Sequence, residues 1–363
     1  MVCRQEIIEL PRAGPGTRRS IVVQRFGEPG ARPKAYLHAA LHAQELPGIV
    51  VLDHLAGMLR DADVRGEVVI VPFANPVGLA QQVMMETPGR HDLDTGRNYN
   101  RGFPDILDEV VHAVTGRLGE SHDASVARVR QAALDVLERR RVLREDDVLK
   151  TTLLRLSLDS DYVLDLHTAW EALPHMFVSS LHWPDAGDLA RDMESDVVIV
   201  DDGNPMMTFK SAHVLFWQGI ARRFPTSLER PGSLAAVLEL RGQRDVDDHL
   251  TLPAARGLLR WLRRRGIVGG APGPLPRPRC QARSIAGLRR LQARAGGIVI
   301  YAQALGAHVA RGETFAHILD PASGTRHPVT SPVAGCLYTR RSHRLVRQGD
   351  YFCAIAGDDP PAD

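Results

Sequence analysis

Lysine is scarce in this 363-residue chain: Lys34, Lys150 and Lys210 are the only three, and every other strongly basic residue is an arginine. A mechanism through a lysine Schiff base therefore has few candidates. The four cysteines, Cys3, Cys280, Cys336 and Cys353, include no Cys-x-x-Cys pair, which argues against a zinc ribbon or a disulfide framework and leaves ordinary thiols. No apolar run approaches the about 18 residues of a spanning helix, and no basic leader followed by an apolar stretch opens the chain, so a soluble, cytoplasmic protein without membrane contact is expected. A charge bias is missing too. Its 45 basic and 43 acidic residues are spread along the sequence and leave a formal charge of +2, which gives no electrostatic case for a nucleic-acid partner. Arg139-Arg140-Arg141 and Arg263-Arg264-Arg265 read as solvated helix faces.

What is present is ordinary globular composition, 44% hydrophobic and 24% charged. From Ile21 to about Val268, short apolar runs alternate with helical stretches. Val68–Val71, Val163–Leu166, Val197–Val200 and Ala235–Leu238 are strand-like, whereas Val126, Val129, Ala133, Val136 and Leu137 follow helical spacing, as does Leu250 to Arg264. This alternation predicts an α/β fold with a mixed, mostly parallel sheet flanked by helices. Residues 269–280 are rich in glycine and proline and mark a linker between a catalytic domain over 1–268 and a C-terminal β domain over 281–363. The closely spaced β-type runs of that last part suggest a small antiparallel barrel or sandwich.

One grouping in the first part carries chemistry. Ala35–Ala39 reads as a buried strand and Leu46-Pro47-Gly48 as a helix start, so His42 and Glu45 fall in the turn between them. Asp161–His167 is a second strand candidate that delivers His167 at its C-terminal end. Ligands gather at the carboxyl ends of strands in open α/β sheets, so the two ends can meet. Two imidazoles and one carboxylate form a catalytic zinc set that leaves a fourth position free. Taken alone, His-x-x-Glu is a short pattern that arises by chance among fifteen histidines. Asp165 shares a strand face with His167 and could orient its imidazole or cap a backbone group. His38 and His175 are further candidate ligands, with a hydrogen-bonded structural role the simpler alternative.

Four more segments extend the pattern: Asn75-Pro76-x-Gly78, Asn100-Arg101-Gly102-Phe103-Pro104, Asp165-Leu166-His167 and Glu239-Leu240 at a strand end. In this order and spacing they resemble the succinylglutamate desuccinylase/aspartoacylase family of zinc carboxypeptidase-like hydrolases, over nearly the whole chain. The resemblance implies one zinc ion per chain on His42, Glu45 and His167, lowering the pKa of a bound water toward ~7. It implies Glu239 as the base and Arg90 as the residue that polarises the scissile carbonyl, with Arg97 an alternative. Asn100 and Arg101 resemble the pair that holds a substrate carboxylate. Without the family pattern, Glu239 is a charged strand end and Asn100-Arg101 a polar turn.

The implied activity is removal of an acyl group from a small N-acyl amino acid or N-acyl amine. A carboxypeptidase with the same machinery and a catalytically silent binding protein of the same fold are the alternatives. Thr168-Ala169-Trp170 departs from the small polar residues of many relatives, so the substrate is left to be decided. Trp170 and Glu171 are expected at the pocket, and Arg241 or Arg244 could supply an additional arginine. The C-terminal part also resembles biotinyl and lipoyl carriers, yet it holds no lysine to modify. As in relatives, it would shape the active-site entrance or a homo-oligomer contact, with Tyr301, Tyr338 and Tyr351 as candidates to reach the pocket.

Overall fold

A computed structural model describes residues 3–358, with 13 and 120 excepted. Its largest sheet has nine strands. They are β1 (Arg4–Glu9), β2 (Ser20–Phe26), β3 (Lys34–Ala39), β4 (Glu67–Val71), β5 (Tyr162–Ala169), β7 (His175–Val178), β8 (Val197–Val200), β9 (Leu234–Gly242) and β10 (Ala282–Ser284), in the spatial order β1-β2-β4-β3-β5-β9-β7-β8-β10. The short β6 (Glu171–Ala172) lies outside it. The middle of the sheet, β4-β3-β5-β9, is parallel, while β1, β2 and the β7–β9 pairing are antiparallel. The expected mixed, mostly parallel sheet is borne out. β10 follows the Gly/Pro-rich run and still pairs with β8 at the sheet edge.

Helices cover both faces, which is why the central strands read as continuous apolar runs. Side chains alternate along a strand, so each strand feeds two cores. Leu37, Ile70, Leu164 and Ala236 pack with α1 (Pro47–Arg60), α6 (Trp183–Asp192) and α8 (Asp248–Arg264). Tyr36, Val69, Val163 and Ala235 face the other side, toward α3 (Leu107–Val114), α4 (His122–Arg139), α5 (Glu145–Ser157) and α7 (Phe209–Arg223). The arginines at the end of α8 are not a plain solvated face. Arg264 pairs with Asp192 at 2.7 Å and Arg265 with Asp188 at 2.6 Å, because α6 presents carboxylates to that side.

Beyond β10 come two antiparallel sheets. One runs β11 (Leu288–Gln292), β18 (Tyr351–Gly357), β16 (Gly335–Arg340) and β13 (His308–Val309); the other runs β15 (Arg326–Thr330), β14 (Thr314–Leu319), β12 (Gly297–Tyr301) and β17 (Leu345–Val346). Phe315, Leu337, Phe352 and Ile355 fill the space between them. β6 pairs with β16, Thr339 opposite Ala172. Since β6 directly follows β5, this pairing draws the C-terminal sheets to the carboxyl end of the strand that carries His167. Among the described residues no helix is long and apolar enough to cross a membrane, and the four cysteines are free thiols.

Candidate active site

β3 ends at Ala39, and Ala40 takes a positive φ of 55° that turns the chain sharply before α1. His42 and Glu45 lie in that turn, braced from two sides. Asn75 donates its amide to Leu41 O at 3.0 Å and accepts from Gly78 N at 2.8 Å. A side chain at Gly78 would come 2.7 Å from that amide, which accounts for the Asn-Pro-x-Gly pattern. The second brace is Gly89, whose carbonyl accepts from Ala43 N at 2.9 Å. A Cβ at Gly89 would stand 2.3 Å from Gln44 N, and its φ is +58°, so both space and conformation require glycine. This close approach aims Arg90 at the turn.

His42, Glu45 and His167 are all buried, and one donor atom from each lies within 4.8 Å of the others. Nδ1 of His42 is 3.0 Å from Glu45 Oε1, and Nδ1 of His167 is 2.8 Å from Glu45 Oε2. The outer ring nitrogens are held from behind. Nε2 of His42 faces Asn98 Oδ1 at 3.0 Å, and Nε2 of His167 faces Asp165 Oδ1 at 2.8 Å. When those outer nitrogens donate, both Nδ1 lone pairs point at one carboxylate. That crowding of acceptors, with one donor atom from each residue within 4.8 Å of the others, fits a cation. Burial disfavours the charged form of Glu45, but the two imidazoles outweigh it and hold the carboxyl well below its ordinary range. Burial also opposes charge on His167, where Asp165 and Glu45 prevail and raise it well above.

Behind His167 runs a buried relay. Asp165 Oδ1 also lies 2.7 Å from His38 Nε2, and His38 Nδ1 lies 3.0 Å from the Tyr36 hydroxyl. His38 is therefore a hydrogen-bonded residue in this relay. His175 is engaged as well, 2.8 Å from Leu173 O and edge-on to Tyr338, and burial lowers it to about 4.

Glu239 sits opposite both His167 and His175 in the strand registers. Its Oε2 is sealed from solvent and has no hydrogen-bond partner among the described residues. Burial, reinforced by the charge of Glu45, pushes its carboxyl up to about 7 against the pull of His167 and Arg90. Arg90 Nη2 donates to Glu45 Oε1 at 2.7 Å. Arg97 is directed elsewhere, bound to Asp146 at 2.9 Å and Asp147 at 2.7 Å on α5. Asn100 places its amide nitrogen 3.2 Å from His167 Nε2, while its oxygen accepts from Phe209 N at 2.8 Å. Arg101 touches only the Asn100 carbonyl, at 2.6 Å, and finds no carboxylate among the described residues.

His42, Glu45, Arg90, Asn100, Arg101, His167, His175 and Glu239 line one cavity of about 430 Å³, whereas Arg97, Asp165 and His38 do not. Trp170, Tyr338 and Tyr351 line it too, whereas Tyr301 instead bonds Phe352 O at 3.0 Å under the stacked Arg340 and Arg344. Glu171 turns to Arg340 and Arg344. Neither Arg241 nor Arg244 is among the lining residues; the additional arginines are Arg290 of β11 and Arg340 of β16, the latter paired with Glu171. Burial and the neighbouring Arg90 and Arg290 hold Arg101 below the usual arginine range. Asp201, paired with buried Lys210 at 2.9 Å, completes a polar side of the cavity. No local signal in Leu288-Arg289-Arg290 marks Arg290, because its place depends on how the C-terminal sheets dock.

Residues 31–136 match the model of the succinylglutamate desuccinylase/aspartoacylase catalytic domain. That segment is similar to the catalytic domain of that family. The resemblance read from the motifs is thereby borne out. The N-alpha-acetyl-L-2,4-diaminobutyric acid deacetylase of Halomonas elongata is 26% identical over 331 residues, covering 90% of this chain and 83% of its own. A succinylglutamate desuccinylase/aspartoacylase family protein from Shewanella amazonensis superposes with a TM-score of 0.87 at 23% identity, covering 98% of this chain and 99% of that one. The ectoine utilization protein EutE of Ruegeria pomeroyi gives 0.69 at 17% identity, over 98% and 95%. These two structural likenesses speak for the fold alone.

Proposed function

We propose that this protein is a zinc-dependent amidohydrolase that removes the acyl group of a small N-acyl amino acid or related N-acyl amine. The observation that carries the reading is a single one: Glu239, with an unpartnered buried oxygen, lines the same cavity as the convergent donors His42, Glu45 and His167. A zinc ion held by those three residues would supply Lewis acidity and a water of lowered pKa. Glu239 is the carboxylate free to take a proton on this side of the cavity and return it to a leaving amine. Its unsatisfied Oε2 is the atom we assign to that transfer. Arg90, which follows Gly89 and donates to Glu45, is the group we assign to stabilising negative charge on the scissile carbonyl oxygen. Arg101, free of carboxylate partners among the described residues, is the group we assign to a substrate carboxylate, with Asn100 beside it.

The name of the Halomonas relative, an N-acetyl deacetylase, agrees with this reaction class. The test is a hydrolysis panel of N-acetyl and N-succinyl amino acids set beside dipeptides, using the zinc-loaded protein. Release of acetate or succinate is the expected result, and cleavage of dipeptides alone would sink the deacylase assignment in favour of a carboxypeptidase.

A further inference from the structure

Large apolar side chains exposed on a protein surface are normally scattered singly. Here Trp170, Ile285 and Tyr351, which are 41%, 41% and 54% exposed, all line the cavity that holds the metal donors. They come from three distant segments: the residue after β5, the turn after β10, and the first residue of β18. Arg341 lies 5.7 Å from the centre of the Trp170 ring and pairs with Asp350 at 2.9 Å, and Asp350 directly precedes Tyr351. The contacts that steady Trp170 thus also steady the strand start that carries Tyr351. Half-buried Phe177 and buried Phe352 continue the apolar lining.

We propose that the substrate bears an aryl or branched-alkyl group that rests on the Trp170–Ile285–Tyr351 shelf while its carboxylate meets Arg101 and Arg290. The assignment rests on the acyl-hydrolase reading above and narrows it to N-acyl amino acids with an apolar part. Two features of the cavity favour such a ligand. Its volume of about 430 Å³ falls within the ~300–1,000 Å³ typical of small-molecule sites, room enough for an apolar group beside the carboxylate. Its chemistry is divided, with a shelf whose only polar groups are the indole N–H and a phenol, and guanidiniums of Arg101 and Arg290 that no carboxylate of the described residues neutralises. An anion with an apolar body satisfies both; a purely polar dicarboxylate would leave the shelf wet.

The experiment has a binding arm and a turnover arm, both on the zinc-loaded full chain. Calorimetry compares phenylacetate with succinate, and kcat/KM is measured for N-acetylphenylalanine against N-acetylaspartate and for N-isovalerylalanine against N-acetylalanine. The proposal expects phenylacetate to bind at least about tenfold more tightly, the scale on which apolar pockets discriminate. It expects at least one apolar member of the two substrate pairs to be preferred by a similar factor. The amino-acid pair and the acyl pair show which side of the amide meets the shelf. Trp170→Ala and Tyr351→Ala should pull these ratios toward one through KM, and Trp170→Phe should keep most of the preference. Equal or tighter succinate binding, or no apolar preference in either substrate pair, overturns the proposal. Absence of any amide hydrolysis alongside tight phenylacetate binding would sink the reaction class and leave the shelf standing.

Discussion

Asp165 Oδ1 lies 2.8 Å from Nε2 of His167, and this contact decides which ring nitrogen His167 turns toward Glu45. Asp165 is itself held by His38, so two buried residues fix one imidazole. Partners of this kind orient ligands, and their loss typically weakens metal binding about 10–100-fold. Asp165→Ala should therefore raise the zinc dissociation constant by that factor, read by competition with a chelating dye. His38→Gln, one bond further away, should have a smaller effect in the same direction. An unchanged dissociation constant in folded Asp165→Ala would remove the orienting role.

Glu239→Gln preserves the shape of the side chain and removes its capacity to take a proton. The variant should bind one equivalent of zinc and lose about 10²–10⁴ of turnover, the range expected for a positioned acid–base group. Near-normal turnover would take Glu239 out of the base role. A loss of zinc together with turnover would instead make it part of the metal cluster.

Arg90 and Arg97 give an internal contrast. Arg90→Ala should lower kcat by about 10²–10³, as removal of one oxyanion donor does. Arg97→Ala should leave kcat within a few fold and cost stability, because its partners Asp146 and Asp147 belong to α5. The two variants are compared by steady-state kinetics and urea denaturation, and the reverse pattern would assign the carbonyl contact to Arg97.

Acid should destabilise the fold through buried histidines outside the metal donor set. Burial holds His213 down at about 3 and His182 at about 4, so both stay neutral in the folded chain through pH 5. In the unfolded chain they take up protons below about 6.5. Because the unfolded state then binds more protons, stability is complete above about pH 6.5 and falls as pH drops from there toward the folded values. Each group contributes a slope of up to about 1.4 kcal/mol per pH unit in that window. His213→Gln should flatten the dependence relative to wild type, measured by urea midpoints between pH 5 and 8 at the same saturating zinc. Identical slopes would show that His213 does not contribute.

How much of this was legible beforehand depended on how local the signal was. The donors could be read because each lies at the end of a strand recognisable from its own residues: Ala35–Ala39 before His42, and Val163–Leu166 before His167. Asp165 followed from strand periodicity alone. The choice between Arg90 and Arg97 was not available, since it turns on Gly89 meeting Gln44 and on the acidic first turn of α5. Arg290, Ile285 and Tyr351 were out of reach for a different reason. Their place at the cavity depends on β6 pairing with β16, a contact between residues about 170 apart in the chain. β10 was missed as a member of the main sheet because only three residues pair there, just past the Gly/Pro-rich run.

The central claim is that His42, Glu45 and His167 hold one catalytic zinc ion. Its most direct test is zinc content by plasma mass spectrometry, paired with N-acyl amino acid hydrolysis, for wild type and His42→Ala after chelation and zinc reconstitution. The account predicts close to one equivalent in wild type, activity that vanishes on chelation and returns with zinc, and neither in His42→Ala. Hydrolysis that survives chelation, or a zinc content that His42→Ala leaves unchanged, would contradict it.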